Sequence, residues 1–156
     1  MADQLSPEQS ESRQLAKRFF NETWTYLEKA DRTADDDLMM IHLAHASRLH
    51  WQLAGDARNW SISEWQISRV YAVLGRAESA LFHGHACLRI ATENHLKPFQ
   101  MGFAHEAIAR ALAIGDPGSA GEHVAAATAF AQDVADPEDK KILETDLSTI
   151  RLIGPS

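Results

Sequence analysis

The sequence predicts an all-α protein built of antiparallel helical hairpins, an α-solenoid or helical bundle of about seven helices. Three observations carry that expectation. Apolar residues recur at steps of three and four, which stacks them on one helix face. Nowhere do they alternate in the period of two that marks a strand. Breaks between the periodic stretches carry glycine, proline or an acidic cluster, residues that end and start helices. At 156 residues the chain fits one domain, 1–156. Such a domain buries about 68–70% of its unfolded surface and needs no disulfide or metal to fold.

The segments follow in order. Ser6-Pro7-Glu8-Gln9 is a start signal, with a serine cap, a proline in the first turn and a glutamine able to reach back. Leu15, Ala16, Phe19, Phe20, Thr23, Leu27 and Ala30 continue it as the stripe of an N-terminal helix over 7–30. The central helices span 36–93. The first of them runs from about 36 to 54, and Thr33 with Asp36 offers its cap. The segment 55–59 ends it, and Ser61-x-x-Glu64 is expected to cap the next helix.

That next helix and the one after it, over 63–93, form the clearest hairpin. Trp65, Ile67, Val70, Tyr71 and Leu74 mark its first half and Gly75 its turn. The second half, Ala77, Ala80, Leu81, Gly84, Cys87, Leu88 and Ala91, runs in steps of three and four and is mostly small. Small residues let two helix backbones approach closely, so Gly84 is expected to face the first helix of its own hairpin, near Tyr71. Phe82, Ala86 and Ile90 lie off that seam, on a second partly apolar side. They point to a further packing partner, either another helix or a second subunit, and a homodimer is left open.

The C-terminal helices span 99–152. One carries Phe103, Ala104, Ala107, Ile108, Ala111 and Leu112 and stops at 115–118. Ser119-x-x-Glu122 is expected to cap the next, and Asp136-Pro137 starts the last, which runs to about Leu152 before a tail at 154–156. The stretch 44–56 aligns without gaps on 104–116, an offset of 60 from Gly55 to Gly115 (115 − 55).

Ile67, Ser68, Tyr71, Gly75, Ala80 and Cys87 together resemble the small-and-large signature of a tetratricopeptide repeat. Gly84 departs from it where that family carries a large aromatic residue, and Pro98 arrives late for the proline that closes a unit. The chain also resembles an uncharacterised group of small bacterial proteins that carry AHAS-x-x-HW followed by SRVYAVLGR, here 44–51 and 68–76. The second resemblance covers most of the chain and implies no activity. The first implies an array whose leading helices line a concave, partner-binding face.

Charge and composition exclude several classes. The formal charge is −7 and no basic cluster is present, a poor basis for nucleic-acid binding, where phosphate contacts supply most of the affinity. No apolar run approaches the roughly 18 residues of a membrane span. The first residues lack a signal-peptide core, so the expected compartment is the cytoplasm. A single cysteine, Cys87, excludes an intramolecular disulfide and reads as a small core hydrophobe.

Eight histidines raise the question of a metal. On a helix His45 lies about 60° from His42 and His50 about 140° from His45, while His83 and His85 point about 200° apart. No ligand spacing of a known site is present, so no metal and no cofactor are expected. No nucleophile elbow or phosphate-binding loop occurs. The remaining constellation is His45, His50, Arg69, Glu106 and Arg110, polar residues set among Leu, Ala and Trp on what would be the leading helices of three units. It reads as interhelical pairing or as a groove. The expected function is a non-catalytic module that binds a protein or peptide. The alternative is a small-ligand-binding or enzymatic helical protein that uses the His/Arg/Glu cluster.

Overall fold

A computed structural model describes residues 4–152. Among these residues seven helices form: α1 (Pro7–Leu27), α2 (Ala34–Ala54), α3 (Ala57–Val73), α4 (Ala77–Glu93), α5 (Pro98–Gly115), α6 (Pro117–Gln132) and α7 (Pro137–Ser148). No strand occurs among the described residues. The tail expected at 154–156 lies outside them. None of the helices is long and apolar enough to cross a membrane.

Local chemistry sets the ends, and in several places it moves them from where the sequence pattern put them. Ser6 and Gln9 form the capping box that starts α1. The helix stops at Leu27 rather than at residue 30, and the Arg32 guanidinium folds back over this end, donating to Tyr26 O and Leu27 O at 3.5 Å and, just beyond the helix, to Lys29 O at 3.1 Å. Thr33 and Asp36 form the box of α2, which therefore begins at Ala34, two residues early. Asp56 and Asn59 form the box of α3. The expected Ser61–Glu64 cap is thus inside the helix, and the segment read as a terminator does end α2 at Gly55 but also starts α3. Similarly, Pro117 opens α6 behind Asp116, and Ser119 donates to the Asp116 carboxylate at 2.7 Å instead of capping. Helix α7 ends at Ser148, short of Leu152.

The turn between α3 and α4 is made by Gly75, at φ 72°. Arg76 N–H donates to Tyr71 O and Gly75 N–H to Ala72 O. This pair of bonds satisfies the terminal carbonyls and requires a left-handed residue. The α4–α5 turn repeats it with His95, at φ 50°, in the left-handed position.

Three antiparallel hairpins result, α1–α2, α3–α4 and α5–α6, with α7 closing the array. Helices α3, α5 and α7 each also pack on the even helix before them, and α1, α3, α5 and α7 touch in succession. The odd helices therefore share one side, and α2, α4 and α6 share the other. This order corrects the expected units. Helix α2 is the second member of its hairpin, so the 44–56 stretch aligns on a helix of the other kind, and His45 and His50 do not sit on a leading helix.

An aromatic row ties the odd helices together. Trp24 of α1 lies 5.6 Å from Trp65 of α3, Trp65 lies 5.2 Å from Phe103 of α5, and Phe103 lies 5.0 Å from Phe99. Around it pack Cys87, Ala104, Ala107, Ala131 and Leu143. A second cluster, Met40, Ala44, Ile67 and Val70, joins α2 to α3.

The small stripe of α4 serves two neighbours rather than one. Ala80 O accepts from Ser68 Oγ of α3 at 2.7 Å, and Ser61 Oγ of α3 meets Cys87. Gly84, however, faces α5: a Cβ there would lie 3.2 Å from Ile108 Cγ1 and 3.3 Å from Ile108 N. Tyr71 is not its neighbour, because α4 is wedged between two helices and its seam is divided between them. Ile90 is buried, so the expected second side of α4 leaves only Phe82 broadly exposed. Gly84→Leu is expected to force α4 from α5 and cost about 3 kcal/mol or more, beyond the usual overpacking range. Urea denaturation measures it; a parent-like midpoint would contradict the α4–α5 contact.

Candidate functional site

Two pairs of residues one helical turn apart prepare the site. Trp65 and Arg69 share a face of α3, and Glu106 and Arg110 share a face of α5. Where α3 crosses α5 the pairs meet. Glu106 is completely buried, and a carboxylate in that position must be paired and hydrogen-bonded. Both its oxygens are occupied. Oε2 accepts from Trp65 Nε1 at 2.7 Å, while Oε1 accepts from Arg69 Nη2 at 3.0 Å and from Arg110 Nε at 2.7 Å. The Arg69 guanidinium also lies over the Trp65 ring, 5.2 Å from its centre, a cation–π contact.

Helix α7 completes the cluster. Arg69 Nη2 donates to Asp146 Oδ2 at 3.2 Å. Arg110 Nη2 donates to Asp146 O at 2.9 Å and to Thr149 Oγ1 at 2.8 Å. Arg110 thus reaches one of the last carbonyls of α7 and the hydroxyl of the residue that caps it. Burial, reinforced by the charge of Glu106 against the pull of Arg69 and Arg110, pushes the Asp146 carboxyl above the usual 3.8.

Beside the cluster lies an open cleft of about 430 Å³. Arg69, Arg110 and Arg151 give it cationic groups, and Ala72, Val73, Ala113, Ile114 and Ile150 give it an apolar surface. Val73 and Ile114 are each 43% exposed. Three arginines against two carboxylates, Glu106 and Asp146, leave one net positive charge in a chain of −7.

The structure therefore brings together Arg69, Glu106 and Arg110 and leaves His45 and His50 elsewhere. His45 Nε2 lies 3.0 Å from Tyr71 Oη, and its ring meets His83 at 5.3 Å. His83 Nδ1 in turn lies 2.7 Å from Glu64 Oε2, and Arg48 donates to Glu64 Oε1 at 2.9 Å. Burial opposes ionisation of Glu64, yet the hydrogen bond and charge of His83, together with Arg48, hold its carboxyl below 4.5. His50 Nδ1 sits 3.3 Å from Ser12 Oγ, against Phe19 of α1. Cys87 is buried, and burial pushes its thiol up to about 12. No group of three or more His, Cys, Asp or Glu side chains placed to hold a metal ion occurs among the described residues.

Sequence reasoning missed Trp65 as a hydrogen-bond donor, and Asp146, Thr149 and Arg151 as members of the site. The turn spacing of Trp65 to Arg69 was a usable signal. The other three belong to the end of α7, whose place beside α3 and α5 no local pattern encodes. The chain matches no family model, no curated protein and no solved structure.

Two expectations follow. Glu106→Gln keeps the size of the side chain but leaves Arg69 and Arg110 without their shared charge. It should destabilise the fold by about 3 kcal/mol, at the lower end for a broken buried pair, read from the urea midpoint. The second concerns pH. Burial, then the charge of a neighbouring imidazole, holds His45, His105 and His123 below their usual 6.5; His105 and His123 face each other with their Nδ1 atoms 3.0 Å apart. The unfolded chain takes up protons near 6.5 where the folded one does not. Their contribution to stability is thus complete above that value and is lost as pH falls through it toward the folded values. Urea midpoints at about pH 7.5 and about pH 5.5 should differ in that direction, and His123→Gln should reduce the difference.

Proposed function

We propose that the protein is a non-catalytic, tetratricopeptide-like helical module that binds a partner protein or peptide in the cleft between α3, α5 and the end of α7. The observation that carries this reading is the cleft itself, three arginines beside an apolar surface in an acidic chain. Its chemistry suits an acidic segment with neighbouring aliphatic side chains. The carboxylates would pair with guanidinium groups, and the aliphatic groups would cover Val73, Ile114 and Ile150. Saturation of Glu106 supports a binding role over catalysis, since a carboxylate that already accepts from Trp65, Arg69 and Arg110 has little left to exchange protons with.

A second reading, a small organic anion as ligand, is favoured by one observation: about 430 Å³ falls inside the size range of small-molecule sites. Both readings are tested together. Fluorescence polarisation with a panel of labelled acidic–aliphatic peptides, and a thermal-shift screen of aliphatic carboxylates, should each show ligands whose binding weakens as salt rises. Arg151→Glu, at an exposed position, should keep the parent melting temperature and weaken those ligands at least tenfold. Peptide binders alone support the first reading, and carboxylate stabilisation alone the second. Ligands indifferent to Arg151→Glu would remove the cleft as the binding face.

A further inference from the structure

Two of the three arginines that line the cleft are already engaged, Arg69 and Arg110. An acidic segment that pairs with either must take it from a partner within the chain. The two carboxylates of the cluster differ as such partners. Glu106 is wholly buried and accepts from Trp65, Arg69 and Arg110, so losing it would strand donors of two helices. Among the described residues the Asp146 carboxylate accepts one hydrogen bond, from Arg69 Nη2 at 3.2 Å, and that nitrogen also donates to Glu106 at 3.0 Å. The Asp146 side chain is 25% exposed. Burial, with the charge of Glu106, outweighs the pull of Arg69 and Arg110 on it, so the pairing is a loose one. Nor does α7 hang on that carboxylate. Arg110 holds the backbone carbonyl of Asp146 at 2.9 Å and the hydroxyl of Thr149 at 2.8 Å, and Leu143 is wholly buried beside Gly102. The Asp146 side chain can turn while the backbone beneath it stays in place. Arg69 also keeps capacity for a further acceptor, since its buried Nε has no hydrogen-bond partner among the described residues.

We infer that Asp146 is a built-in competitor for the cleft, turning aside when the carboxylate of a bound acidic–aliphatic segment takes its place on Arg69. The inference rests on the cleft as the binding face. An acid tethered beside its arginine acts at a high effective concentration. A free carboxylate that brings nothing else only exchanges like for like, and is excluded. A segment that also covers Val73, Ile114 and Ile150 adds apolar burial that Asp146 does not offer, and it enters. The competitor therefore makes the cleft selective for acidic and aliphatic groups presented together.

Acetate and hexanoate serve as probes, titrated into the full chain in about 0.15 M salt and followed by NMR at the amides of Ala72, Ala113 and Ile150. The parent should bind hexanoate and exclude acetate. Asp146→Asn should raise hexanoate affinity about tenfold and admit acetate. Glu144→Gln makes the same change of charge at an exposed position of α7 and should leave both affinities within about twofold of the parent. Hexanol, the same chain without the charge, should bind the parent and Asp146→Asn alike. Hexanoate affinity equal in the parent and Asp146→Asn, or raised equally by Glu144→Gln, would overturn the competitor while the cleft stands. An Asp146→Asn chain that fails to fold would overturn it too, since α7 would then need the carboxylate. Hexanoate bound by neither the parent nor Asp146→Asn would remove cleft and competitor together.

Discussion

The carboxylate of Glu106 is the constraint on which the arrangement of α3, α5 and α7 depends. It is fully buried, and a charge taken out of water is tolerated only where donors meet it from several directions. Those donors come from two helices. Trp65 and Arg69 approach from α3, and Arg110 from its own α5. Any slide of α3 along α5 by a turn would strip one oxygen of its partners. Apolar packing alone tolerates such slides more readily, because it is non-directional. The aromatic row supplies area, and the ionic cluster supplies register.

Close approach of the helices is managed by size. Helix α4 lies between α3 and α5, and its small residues are shared out, Ala80 and Cys87 toward α3 and Gly84 toward α5. The same economy of bulk lets α5 sit centrally, in contact with α3, α4, α6 and α7, with alanines at 104, 107, 109 and 111 all buried. Polar groups within this tight core find local acceptors: Ser68 uses Ala80 O, and Ser47 uses Ala16 O.

The number and kind of helices were legible in the sequence because each helix carries a local signature: a stripe, a cap or a breaker. Ser6 with Gln9 and Asp136 with Pro137 are examples. The errors arose where two local signals competed. Ser61-x-x-Glu64 has the form of a capping box, but Asp56 with Asn59 acts one turn earlier, so Ser61 and Glu64 are free to serve α4 and α2. Within the candidate site, Arg69, Glu106 and Arg110 were legible as polar residues on apolar faces. His45 and His50 were grouped with them by counting 60 residues between similar stretches, a match that joins the second helix of one hairpin to the first of another. Asp146, Thr149 and Arg151 were not legible, since the path of the last helix over α5 is a property of the packed array.

Arg110 has a double attachment, one nitrogen to Glu106 and another to the terminal carbonyl and hydroxyl of Asp146 and Thr149. Helix α7, only 12 residues long, is too short to persist by itself in water. Its end is therefore held by the same side chain that neutralises the core charge, and its middle by Leu143, which is wholly buried next to Gly102. The edge that Thr149, Ile150 and Arg151 give the cleft is therefore tied, through one arginine, to the charge in the core, and a change at Glu106 is felt at that edge as well as between α3 and α5.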